Sequence, residues 1–246
     1  MATNNRVVLV GGKSKGGKTT SLRNLRDPEA VMYLNCEANK DLTFAAKFRQ
    51  FTITNPYEIY DGFNHAAQSG NFHTIVVDTL SFLMEMFHTL FIHKAADGMK
   101  GWADYQAFFK KLMQQYVASA TVNVVFLAHV HQVLNEEAMV MEKTVPIQGN
   151  LKKNGVEAYF STVVSARRMS ITELDQYQND LLVITEKEKM MGVKHVYQTE
   201  LTKETVHERI SSSMGMWEMK ETFIDSDVQL VLDRLEKYHG PRVKAA

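Results

Sequence analysis

The chain has 246 residues, with 28 lysines and arginines balanced by 28 aspartates and glutamates. That length supports one large α/β domain over residues 1–246, and the zero net charge leaves any nucleic-acid contact to local patches. The single cysteine, Cys36, excludes an intrachain disulfide and a cysteine-based zinc site; with no signal peptide or long apolar span, the expected location is cytoplasmic, without a membrane partner.

The first element is an apolar run, Val7, Val8, Leu9 and Val10, which leads into Gly11-Gly12-Lys13-Ser14-Lys15-Gly16-Gly17-Lys18-Thr19-Thr20 and then a helix-compatible stretch at 21–26. Gly12, Gly17, Lys18 and Thr19 stand at the G-x-x-x-x-G-K-[ST] spacing of a phosphate-binding loop. Glycines let the backbone turn several N–H groups toward one anion, and a helix N-terminus adds its positive end. Lys18 reaches the outer phosphates, and the Thr19 hydroxyl suits Mg²⁺, a hard cation that prefers oxygen. A glycine-rich surface turn is the bland alternative, but chance gives these four positions on the order of once in a hundred chains of this length.

Asp27-Pro28 breaks the pattern, and residues 31–34 read as a second buried strand that ends in Asn35-Cys36-Glu37. Residues 41–49 look helical, 51–54 look like a short strand, and Asn55-Pro56 opens a helix to about Ser69. Thr74-Ile75-Val76-Val77 is a β-branched run ending in Asp78, which puts a carboxylate at the carboxyl end of a buried strand. Mg²⁺ shared with Thr19 is one partner for that charge; the other reading makes Asp78 the N-cap of a helix over 79–92.

Residues 93–101 read as a loop, and 102–119 carry apolar residues at helical spacing, with their aromatics assigned to the core. Residues 122–128 form another buried strand and deliver His129 and His131 to the same edge. Two histidines without an evident third ligand favour a phosphate-sensing or structural His129 over a metal site. Residues 130–150 read as a polar hairpin, and 159–169 as a strand bearing Arg167 and Arg168. Residues 181–187 and 193–201 fit antiparallel strands joined through Met190-Met191-Gly192, and 225–238 an amphipathic packing helix with Val228, Val231, Leu232 and Leu235 on one face.

In this order, GGKSKGGKTT, VMYLNCE, TIVVDT, VVFLAH and GNLKKNGVEAYFSTVVSARRM resemble the ATPase core of the RecA/RadA group. The chain is more closely similar to phage-encoded RecA-like ATPases of single-strand annealing and recombination, over about residues 6–210. The resemblance implies an α/β RecA-like P-loop NTPase core: a mostly parallel sheet flanked by helices, with an antiparallel C-terminal extension. It also implies a Mg²⁺-dependent ATPase acting on single-stranded DNA in the cytoplasm of an infected bacterial host. Gly12, Lys13, Ser14, Lys15, Gly16, Gly17, Lys18, Thr19, Thr20 and His129 would then hold ATP, and Thr19 and Asp78 would hold Mg²⁺. Glu37 would orient and deprotonate the attacking water, and His129 would replace the usual glutamine at the γ-phosphate.

The same resemblance places DNA at 93–101 and 130–153, where Lys143, Lys152 and Lys153 stand against Glu136, Glu137 and Glu142. Lys187 and Lys189 resemble a K-x-K pair that RecA inserts into a neighbouring subunit's nucleotide site, which implies a homo-oligomer. A single-strand binding protein is a further implied partner. Only five residues precede the first strand, so a ring or transient oligomer is expected rather than a filament. Two other readings stay open: a small-molecule or nucleoside kinase with Arg167 and Arg168 in its lid, and a nucleotide-switched assembly module that does not bind DNA.

Overall fold

The computed structural model describes residues 4–38, 40–95, 97–136 and 139–241. In chain order the elements are β1 (Val7–Gly12), β2 (Val31–Asn35), β3 (Arg49–Thr52), α1 (Glu58–Ser69), β4 (Thr74–Asp78), α2 (Leu80–Phe87) and α3 (Gly98–Lys111). They continue as β5 (Asn123–His129), β6 (His131–Asn135), β7 (Val140–Thr144), α4 (Leu151–Asn154), β8 (Thr162–Ser170) and α5 (Ile171–Leu174). The last are α6 (Glu186–Met191), β9 (Val193–Gln198), β10 (Phe223–Asp225) and α7 (Val228–His239).

Eight strands form one sheet in the order β10-β9-β8-β1-β5-β4-β2-β3. The six from β8 to β3 run parallel, and β9 and β10 add antiparallel, as the α/β expectation with a C-terminal extension requires. Strand alternation divides the core in two. Val7, Leu9, Met32, Leu34, Ile75, Val77, Val124 and Phe126 face one layer with α1, α2 and α3. Val8, Val10, Val31, Tyr33, Val76, Val125 and Leu127 face the other, which α7 closes with Val228, Val231, Leu232 and Leu235. Because both faces are covered, the strands read as continuous apolar runs in the sequence.

β1 lies where the connections change direction: the chain leaves it for β2, returns to β5 on one side and later reaches β8 on the other. Ligands of open parallel sheets bind at such a switch point, beyond the carboxyl ends of the strands. The register brings the ends together, pairing Gly12 with His129 and Asn35 with Asp78.

Several local expectations are corrected. Residues 21–26 are not a helix; a single 3₁₀ turn, Thr19–Leu22, follows the loop, because Asp27 in the left-handed region and Pro28 stop the chain before a helix can propagate. The positive end at the loop is therefore that of one turn. Residues 41–48 form no helix and bend at Thr43 and Phe44: Leu42, Phe44, Ala46 and Phe48 all turn to the second core layer, a period of two rather than 3.6. α3 begins at Gly98 inside the expected loop, where the Asp97 side chain accepts from the N–H groups of Met99 and Lys100. The strand expected at 181–187 gives way to α6, started by a capping box between Thr185 and Glu188 and ended by Gly192 in the left-handed conformation. No helix among the described residues is long and apolar enough to cross a membrane.

Candidate functional site

The loop after β1 reverses tightly, with Lys15 at φ 60° and Gly17 at φ 89°. Gly17 is fixed twice, since a Cβ there would be strained by its φ and would lie 3.0 Å from His195 Nδ1. His195 projects from β9, and its Nδ1 donates to the Gly16 carbonyl at 3.2 Å, bracing the loop from the antiparallel extension.

Lys18 turns back into the loop. Its ammonium lies 3.0 Å from the carbonyls of both Gly12 and Lys13, and burial pulls its pKa down to about 8. It also donates to His129 Nδ1 at 3.4 Å. His129 Nε2 then faces Glu37 Oε1 at 3.5 Å, and the neutral Nε2–H tautomer satisfies both contacts. The backbone N–H of His129 donates to Ser81 Oγ at 2.9 Å, which seats the end of β5 against α2. Glu37 also accepts from Lys40 Nζ at 3.0 Å. The hydrogen bond from His129, aided by Lys40, holds the Glu37 carboxyl down to about 2 against the opposing effect of burial.

Asp78 is not the N-cap of α2. Thr79 takes that position, with its side chain accepting from the Phe82 N–H, so the carboxylate of Asp78 is left for the site. Its Oδ2 accepts from Thr19 Oγ1 at 2.9 Å and from Tyr33 Oη at 2.7 Å. Its Oδ1 is buried with no hydrogen-bond partner among the described residues, and desolvation raises the Asp78 pKa despite the two donors. A buried, unsatisfied carboxylate oxygen beside a threonine hydroxyl fits a small hard cation such as Mg²⁺. Among the described residues no three or more His, Cys, Asp or Glu side chains cluster as a metal site, so such a cation would complete its shell with phosphate oxygens and water.

The structure thus gathers Gly12, Lys18, Thr19, Glu37, Asp78 and His129 at one edge of the sheet. Other expected residues lie elsewhere. His131 is exposed on β6, one residue beyond the connecting Val130, whose N–H donates to the Gly12 carbonyl at 3.2 Å. β6 and β7 form the expected hairpin, in register from His131 opposite Thr144 to Asn135 opposite Val140. Lys143 does not reach into solvent as an isolated cation: its ammonium meets Glu208 at 2.5 Å, and the same carboxylate binds Arg167. Arg209 ties the hairpin again, to Glu142 at 3.3 Å and to Glu157 at 3.1 Å. Lys152 is exposed on α4; Glu137 and the side chain of Lys153 lie outside the described residues. Lys187 and Lys189 are exposed on α6 rather than on a strand, and Lys189 pairs with Glu186 at 2.7 Å.

A cleft of about 1080 Å³ opens between the outer side of the loop, at Lys13 to Gly16, and the edge formed by Arg167, Arg168, Tyr177 and Lys203. Arg168 is exposed there, whereas Arg167 is committed to Glu208 and Ser165. Glu208→Ala would leave Lys143 and Arg167 unpaired, and a loss of about 2–3 kcal/mol is expected in urea unfolding, moderated by their partial solvent access. Unchanged stability would mean that the hairpin needs no such tether.

Sequence reasoning missed Tyr33, Ser81 and His195. Tyr33 sits in an apolar run where its ring is indistinguishable from core, and His195 carries no local motif. Their contacts exist only after β2, β4, β9 and the loop are brought together.

A family model described as AAA domain matches residues 4–206. No curated protein matches the chain.

Proposed function

This chain belongs to the AAA-domain family and is a P-loop ATP hydrolase, and on that premise we propose that its turnover is coupled to single-stranded DNA held beside the β6–β7 hairpin. The biological setting of this reading is phage recombination or annealing, following the resemblance of its motifs to RecA-like ATPases. One observation carries the reading. His129 bridges Lys18 and Glu37, and after the single residue Val130 the chain enters the hairpin at His131.

In this mechanism the backbone from Gly12 to Thr20 cradles the triphosphate, and Lys18 leaves its two carbonyls for the outer phosphates. Thr19 and Asp78 would hold Mg²⁺, which would supply positive charge to offset that of the phosphates. Glu37 aligns the attacking water and takes its proton. With His129 and Lys40 holding it as a weakly basic carboxylate, Glu37 is restrained before ATP binds. The γ-phosphate competes for both Lys18 and His129, so its arrival frees Glu37 for water and shifts the backbone that continues into the hairpin. Hydrolysis reverses both changes.

DNA phosphates would meet Lys152 on α4, which follows the hairpin in the chain, and would reach Lys143 only in competition with Glu208. Lys187 and Lys189 on α6 are assigned to a neighbouring copy's site in a homo-oligomer, with a single-strand binding protein as a further partner. The kinase reading is less well served, because one of its two lid arginines, Arg167, is tied to Glu208.

Steady-state ATP hydrolysis with and without single-stranded DNA tests the coupling. Stimulation is expected, weakening as salt rises and diminished in Lys152→Ala. Turnover indifferent to DNA, or requiring a small-molecule acceptor, would overturn the DNA assignment and leave the ATPase intact.

A further inference from the structure

We propose that Tyr33 is a positioning residue for the divalent cation: its hydroxyl locks the Asp78 carboxylate so that Oδ1 faces the metal. The inference rests on the metal role given to Asp78 above and adds a residue that the loop motif does not contain.

A carboxylate has two chemically equivalent oxygens, and rotation of the group exchanges them. In this site the exchange is blocked by an asymmetric donor set. Both hydroxyls, Thr19 Oγ1 at 2.9 Å and Tyr33 Oη at 2.7 Å, bind Oδ2, while Oδ1 is buried and has no partner among the described residues. Turning the group over would strip two hydrogen bonds from one oxygen and would offer the metal an oxygen already engaged. The arrangement therefore presents one ligand atom in one direction.

Thr19 alone serves this purpose poorly, because its oxygen is itself a candidate metal ligand on a side chain at the edge of the loop. Tyr33 is different. It is 2 % exposed, its ring packs on Phe48 with centroids 6.3 Å apart, and it shares a core layer with Leu22 and Val76. The strand register sets its reach: Tyr33 lies opposite Val76 on β4, two residues before Asp78, so the long phenol extends along the sheet to the carboxylate. A phenylalanine would fill the same core volume. The hydroxyl is what the core position does not need and the metal site does.

Partners that orient a metal ligand typically contribute 10- to 100-fold in metal affinity. Tyr33→Phe is expected to weaken Mn²⁺ binding about 10-fold in the full chain saturated with ADP, read by electron paramagnetic resonance of free Mn²⁺. ADP affinity measured in EDTA should stay at the wild-type value, while the nucleotide-free protein should melt slightly lower because the buried Asp78 carboxylate loses one donor. Asp78→Asn is measured beside it. Weaker Mn²⁺ binding in both variants with metal-free ADP binding intact supports the proposal. A loss in Asp78→Asn alone overturns the role of Tyr33, and a loss in neither overturns the metal assignment with it. A Tyr33→Phe variant that loses metal-free ADP affinity in step with Mn²⁺ would make the hydroxyl a general structural prop of the nucleotide site and would also overturn the proposal.

Discussion

Glu37→Gln is expected to lower steady-state ATP turnover by about 10²- to 10³-fold while nucleotide affinity stays within about twofold, because a positioned base acts on the reacting water rather than on the bound phosphates. Glutamine keeps the shape but has one acceptor oxygen where the carboxylate offers Oε1 to His129 and Oε2 to Lys40, so it removes the basicity and keeps at most one of the two hydrogen bonds. The measurement is kcat beside the equilibrium affinity of a fluorescent ADP. Turnover near the wild-type rate would remove Glu37 from the chemistry. The same residue gives a pH signature. Its carboxyl is held down to about 2 from an ordinary 4.5, so it favours the folded state above pH 4.5, and that contribution fades as pH falls toward 2. The stability gap between wild type and Glu37→Gln should therefore be constant near neutrality and close in strong acid. Thermal melts across that range would show it.

Lys18→Ala is expected to weaken ATP binding about 10²-fold, the scale of one or two charge-assisted hydrogen bonds, and to abolish measurable turnover. The nucleotide-free protein should melt at or slightly above the wild-type temperature. In that state Lys18 is a desolvated ammonium, and each carbonyl it binds has another donor: Val130 N–H for Gly12 and Gly16 N–H for Lys13. Removing the lysine thus deletes a buried charge and leaves both carbonyls paired, at the cost of the 3.4 Å contact to His129 Nδ1. Stabilisation by added ATP should disappear. A variant that melts several degrees lower without nucleotide would show that Lys18 is structural in the empty loop, contrary to this account.

The site was legible where chemistry is encoded by adjacent residues. Gly12, Gly17, Lys18 and Thr19 declare themselves by spacing, and the apolar runs at 7–10, 31–34, 74–77 and 122–128 mark the four strands whose ends build the site. Asp78 was ambiguous between metal ligand and helix cap, and Thr79, one residue later, took the cap. Where local pattern misled, a competing local rule explains it. Residues 42–48 follow a period of two that looked helical by composition, and α6 arises from a capping box within a stretch of alternating charge.

The sequence alone therefore determined a phosphate-binding loop and an α/β alternation of buried strands, because loop chemistry and apolar runs are properties of neighbouring residues; the mostly parallel sheet came from the family resemblance. Only the tertiary structure decided that Tyr33 and Thr19 share one oxygen of Asp78, that His129 spans Lys18 and Glu37, that His195 braces Gly16, and that Glu208 claims Lys143 and Arg167. Those contacts depend on strand order and register between segments far apart in the chain, and no local pattern of residues encodes a distance across a sheet.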